Sequence, residues 1–158
     1  MTKKTEIFVA IDTKSQENAK KLIGQLNNKH CGIKIGKELF TSCGPEIVQW
    51  VKSEGFKVFL DLKFHDIPNT VVKACEAASK MNVDIMNVHA LGGKEMMSAA
   101  KNAISNQQIK LIGVTLLTSH DQNFMTEVGL HGSIDDCVKK LAINAAESGL
   151  DGIVCAAP

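Results

Sequence analysis

The segment KVFLDLKFHDIPNT, Lys57 to Thr70, sets Asp61, Lys63 and Asp66 into and just beyond a run that is otherwise apolar. Alternation along an extended strand puts Asp61 and Lys63 on one face with Phe59, and Val58, Leu60 and Leu62 on the other. A carboxylate and an ammonium on a covered face must pair, because unpaired burial is costly and even paired burial seldom improves on apolar packing. The second apolar run repeats the pattern: in CGIKIG, Lys34 stands between Ile33 and Ile35, and Asp12 closes the IFVAI run. Lys34, the Asp61–Lys63 pair and Asp12 all stand at or near the carboxyl ends of their runs, and that placement predicts one shared site.

Those residues need elements to hold them. Apolar runs rich in Ile, Val and Phe recur around Glu6 to Ile11, Cys31 to Ile35, Lys57 to Leu62, Asp84 to His89, Lys110 to Leu116 and Gly152 to Ala156. They read as six strands, the first five each followed by a helix. Thr13 and Ser15 offer caps for a helix to about Leu26; Pro45 opens one ending near Glu54 and Gly55; a third starts near Pro68. Gly92 and Gly93 introduce Lys94 to about Ser105, and Ser133 with Asp135 and Asp136 opens a helix through Ser148, closed by Gly149. Strict alternation of this kind demands a parallel sheet with helical crossovers, either doubly wound or a barrel. The turn after the first strand, in VAIDTKS, has no glycine, which disfavours a dinucleotide fold and favours the barrel. One unit takes roughly 29 residues, so eight would need roughly 230, and the expectation is an incomplete (β/α)8 barrel. The charged positions fall at or near strand carboxyl ends, the rim where such folds gather binding and catalytic groups.

Composition agrees with one ordered domain. Of 158 residues 44% are hydrophobic and 22% charged, and 18 basic against 17 acidic residues leave a formal charge of +1. Nothing in that balance favours nucleic acid, an anionic membrane or a strongly acidic partner. Cys31, Cys43, Cys75, Cys137 and Cys155 show no zinc or disulfide spacing and read as free thiols of a reducing, cytoplasmic compartment. The amino-terminal IFVAI is too short for a signal-peptide core or a membrane span.

D-x-K-x-x-D followed by I-P-N-T, as Asp61, Lys63, Asp66, Ile67, Pro68, Asn69 and Thr70, resembles the signature of the orotidine 5′-phosphate decarboxylase family. VAID around Asp12, KIGKELFTSCGP from Lys34, NVHALGG from Asn87, GVTLLTS from Gly113 and the closing GIVCAAP extend the resemblance over the whole chain. It implies a TIM (β/α)8 barrel, of which residues 1–158 supply about six strands and five helices as a single incomplete domain. It also implies a homodimer with shared sites that converts orotidine 5′-monophosphate to uridine 5′-monophosphate and carbon dioxide without metal or organic cofactor. By resemblance Lys63 donates the proton, and Lys34, Asp61, Lys63 and Asp66 form the charge network. Asp66 and Thr70, with Ile67 between them, reach into the neighbouring subunit's site; Asp12 and Lys34 contact ribose; Thr118 lies near the pyrimidine. The family continues through strands seven and eight, whose loops carry its phosphate-gripping residues, so a fragment or incompletely recorded chain is expected, poor in turnover by itself.

Other motifs read as structural. Leu91-Gly92-Gly93 is expected to be a tight strand-to-helix turn, His89 to make a structural hydrogen bond, and His65 to be an exposed loop residue. Thr118, Ser119, His120 and Asp121 are adjacent in a loop and do not make a triad. Two alternatives stay open. One is a sugar-phosphate decarboxylase of the same suprafamily, which uses the acidic motif with magnesium. The other is a catalytically incomplete barrel acting only in binding.

Overall fold

Branched and aromatic side chains pack well on a pleated surface, and each apolar run becomes a strand in the computed structural model, which describes residues 5–106 and 108–155. The strands are β1 (Phe8–Ile11), β2 (Gly32–Gly36), β3 (Val58–Phe64), β4 (Ile85–His89), β5 (Lys110–Val114) and β6 (Gly152–Val154). Ala156, where the last run was expected to end, lies outside the described residues. All neighbouring pairs are parallel, in the order β1-β2-β3-β4-β5-β6. A doubly wound sheet reverses its order at a switch point, whereas a barrel adds each new strand on the same side. The observed order is the barrel's.

The helices begin where local chemistry lets them. In α1 (Gln16–Ile23) the Ser15 hydroxyl accepts from the Asn18 N–H at 3.2 Å, and in α7 (Ile134–Glu147) the Ser133 hydroxyl does the same for Asp136 at 3.1 Å. Proline occupies the first turn of α3 (Pro45–Ser53) and α4 (Pro68–Lys80), where its missing N–H leaves no bond unmade. The fourth expected crossover is α5 (Gly93–Ala103).

Five helices were expected, and seven α-helices are present among the described residues. The additional ones, α2 (Lys37–Cys43) and α6 (Gln122–Glu127), are short, and each buries a single residue, Leu39 and Met125, so neither writes a helical stripe into the sequence. Gly44, at φ +66, separates α2 from α3 in a conformation that a side chain would strain. Asp121 caps α6 by accepting from the Phe124 N–H at 2.8 Å.

Parallel register divides the sheet into two faces. Ile33, Ile35, Val58, Leu60, Met86, Val88 and Leu111 are 0% exposed and pack with Val48 and Val51 of α3, Cys75 of α4 and Met97 of α5. Burial of one such side chain contributes about 1.5–3 kcal/mol, so this helix-covered face holds the fold together. The opposite face carries Lys34, Phe59 and Ile85 in one register row, Gly36 and Asp61 in the next on β2 and β3, and Asn87 beside Ile112 on β4 and β5. That interior face positions the site.

Candidate active site

Lys34 and Asp61 stand on adjacent strands, with Asp61 opposite Gly36 and therefore two residues further along than Lys34. A lysine stem spans that diagonal, and Lys34 Nζ lies 3.3 Å from Asp61 Oδ2. Lys63 Nζ approaches from the other side and donates to Asp61 Oδ1 at 2.7 Å. One carboxylate thus stands between two ammoniums, its side chain 13% exposed and theirs 25%. Burial pushes the Asp61 carboxyl up, but the Lys63 and Asn87 hydrogen bonds and the charges of Lys63 and Lys34 outweigh it and hold the group below its ordinary value. Asp61 is therefore ionised across the neutral range.

Strict alternation holds through Asp61 and then fails. The β3–β4 register passes from Leu60 opposite Met86 to Phe64 opposite Val88, so β3 carries extra residues against β4. Within that bulge Lys63 adopts φ +52, a left-handed conformation that costs a non-glycine residue roughly 1–2 kcal/mol. Lys63 meets Asp61 as expected, but through an irregular backbone rather than through simple period-two placement. Its N–H donates to Asn87 Oδ1 at 2.7 Å, and Asn87 Nδ2 donates to Asp61 Oδ1 at 2.7 Å. Asn87 is 1% exposed. Sequence reasoning assigned it no role, although an amide in the apolar strand IMNVH on the Asp61 side of the sheet was a readable signal.

A second polar cluster borders the first. His89, at the end of β4, is buried, and its Nδ1 accepts from the Leu91 N–H at 3.4 Å, as expected for a structural hydrogen bond. Burial, followed by the positive fields of His65, His120, Lys37 and Lys63, brings its pKa down from 6.5 to about 4, so the ring is neutral at physiological pH. His65 is exposed, as expected, yet stacks on His89 with ring centroids 5.3 Å apart. The Leu91-Gly92-Gly93 stretch is a tight turn, with Gly93 at φ +83. His120 stacks on Phe124 at 3.7 Å and accepts from the Leu117 N–H, and Asp121 caps α6, so both side chains are engaged locally.

Among the described residues, none of the remaining sequence-predicted residues forms an ion pair or side-chain hydrogen bond with the triad of Lys34, Asp61 and Lys63. Asp12 is exposed just beyond β1, its Oδ1 3.8 Å from where a side chain on Gly36 would begin. Asp66 is exposed, and its Oδ1 accepts from the Ile67 N–H at 2.7 Å. Among the described residues it forms no ion pair, so the four-member network is three-membered within one chain and carries a charge of +1. Ile67 is 66% exposed and Thr70 is exposed in the first turn of α4. Thr118, also exposed, lines a cavity of about 350 Å³ with Leu116, His120, Ile134 and Val138.

Consecutive parallel strands with an ion-paired Lys-Asp-Lys cluster on the interior face define a (β/α)-barrel protein with a charged, metal-ligand-poor site among the described residues. A profile described as the orotidine 5′-phosphate decarboxylase / HUMPS family matches residues 5–158. A relative named orotidine 5′-phosphate decarboxylase from Nitrosospira multiformis is 49% identical over 149 residues, which are 94% of this chain and 62% of the relative. Another of that name, from Idiomarina loihiensis, is 50% identical over 154 residues, 96% of this chain and 67% of its own. Among solved structures, orotidine 5′-phosphate decarboxylase from Lactobacillus acidophilus superposes with a TM-score of 0.89 at 34% identity, covering 96% of this chain and 71% of that one. The chain belongs to the orotidine 5′-phosphate decarboxylase / HUMPS family, and it spans about two thirds of the length of these curated relatives.

Proposed function

We propose that this chain catalyses decarboxylation of orotidine 5′-monophosphate to uridine 5′-monophosphate and carbon dioxide, a step of pyrimidine biosynthesis, with Lys63 as proton donor. The observation that carries the reading is the Lys63 ammonium bonded to Asp61 at 2.7 Å, with Lys34 on the carboxylate's other oxygen. The substrate carboxylate approaches Asp61. The bond from pyrimidine carbon to carboxyl carbon breaks with its electron pair left on the ring, carbon dioxide departs, and a Lys63 proton moves to that carbon. Lys63 then recovers a proton from water.

Magnitudes assign the parts. Two like charges about 4 Å apart at an effective dielectric of about 20 repel by about 4 kcal/mol, and relief of that repulsion is worth about three powers of ten in rate. Enzymes span at least about six. The remainder must come from interactions that strengthen in the transition state, chiefly an ammonium already aimed at the developing carbanion.

In this reading the active form is a cytoplasmic homodimer that needs no cofactor. Asp66 of each subunit enters the other's site, which returns the network to neutrality, with Ile67 and Thr70 beside it. Asp12 and Lys34 bind ribose, and Thr118 lies near the base. Among the described residues no helix is long and apolar enough to cross a membrane. The full chain, treated with a chelator, is expected to release carbon dioxide and uridine monophosphate in equal amounts. Lys63→Ala is expected to lower turnover at least about ten-thousand-fold. Activity that vanishes with the chelator and returns with magnesium would favour a sugar-phosphate decarboxylase instead, and full turnover by Lys63→Ala would remove the proton donor.

A further inference from the structure

We propose that Asn87 is a positioning residue that sets the geometry of the Lys63–Asp61 pair, holding the backbone of one partner and the carboxylate of the other. The kinetic consequence rests on the decarboxylase reading; the structural one does not.

The orientation of the amide is forced by its partners. The Lys63 N–H can only donate, so it takes the amide oxygen, and the ionised Asp61 carboxylate can only accept, so it takes the amide nitrogen. The position therefore needs one donor and one acceptor on a short side chain. Aspartate brings two acceptors and a like charge toward Asp61, leucine brings neither bond, and glutamine adds a methylene where 1% of the residue is exposed. The bond to Lys63 falls on the residue at φ +52, at the point where the β3–β4 register slips. There the ladder cannot supply a regular backbone partner, and the Asn87 side chain supplies one from β4. The Lys63 side chain departs from this same residue, so the backbone conformation Asn87 holds decides where the ammonium points.

The charged groups facing Asp61 are Lys34 from β2 and Lys63 from β3, and the positive field of Lys63 in turn acts on His89 of β4. In Asn87→Leu, loss of the amide donor removes one of the bonds that keep Asp61 ionised, so the acid limb of activity should move to higher pH.

Asn87→Leu and Asn87→Asp in the full chain test this by crystallography and steady-state kinetics together. In Asn87→Leu we expect Lys63 to leave positive φ, the 2.7 Å pair to open, and kcat to fall about a hundred-fold with a smaller change in KM. In Asn87→Asp the bond from Lys63 N–H survives, and the introduced carboxyl regains a donor when it shares a proton with Asp61. Its kcat should therefore recover as pH falls from about 8 to about 6, a recovery that Asn87→Leu cannot show. Retention of φ near +52 and of the 2.7 Å pair in Asn87→Leu, whatever the rate, overturns the inference. Should Asn87→Leu not fold, Asn87→Asp decides alone: pH-independent wild-type kcat refutes the proposal. Displacement of Lys63 in variants of a chain that never turns over orotidine monophosphate would uphold the positioning role and defeat the decarboxylase reading.

Discussion

The two faces of the sheet are built from the same strands by opposite rules. Toward the helices, the side chains of Val58 and Leu60 of β3 are 0% exposed and belong to the hydrophobic core. One residue out of phase, Asp61 stands between two lysines. The first face obeys hydrophobic transfer, with stability proportional to area removed from water. The second opposes it, since dehydrating charges costs more than their attraction usually returns. A strand can serve both because its side chains alternate, and stability on one face tolerates a costly constellation on the other.

Substitutions can break or sharpen that contrast. The largest effect belongs to Lys63→Ala, which should abolish turnover while the chain still unfolds cooperatively in urea. Next is Leu60→Ala on the opposite face, expected to cost about 2–5 kcal/mol of unfolding free energy and to leave kcat nearly unchanged at temperatures where the protein is folded. Denaturant titration beside kinetics checks both.

His89 gives a smaller effect with a defined sign. Its folded pKa of about 4 lies below the ordinary 6.5, so between those values the unfolded chain binds the extra proton and stability falls as pH falls. The loss reaches at most about 3 kcal/mol. His89→Phe keeps a ring against His65 and removes the titration, so its stability curve should be flatter from pH 6.5 down to 4 than that of the unaltered chain. An equally steep curve would place the acid sensitivity elsewhere. The smallest stability change is expected for Lys34→Met, Asp61→Leu and Lys63→Met combined: an unchanged or raised thermal midpoint with no activity, as when a buried ion cluster gives way to apolar packing.

Much of this was legible in the sequence because period-two and helical patterns record burial directly. The six strands, the caps at Ser15 and Ser133, the prolines opening α3 and α4, and the pairing of Lys34, Asp61 and Lys63 all followed from residue type and spacing. What escaped had non-local or weakly patterned causes. Helices α2 and α6 bury one residue each and leave no stripe. Asn87 acts across β3 and β4, a partnership that depends on register, and register depends on a slip that no residue in KVFLDLKF announces. Asp66 carries the motif's last charge but stands apart from the other three within one chain, which is why its place in the network belongs to the proposed dimer.

The left-handed turn at Lys63 bears on any attempt to transplant this chemistry. A designer copying the three charged side chains onto an idealised parallel strand would reproduce the letters but turn the ammonium away from its carboxylate. The irregular stretch of β3 and the amide clasping it from the next strand would have to travel with the side chains, because the aim of the proton is set by the main chain.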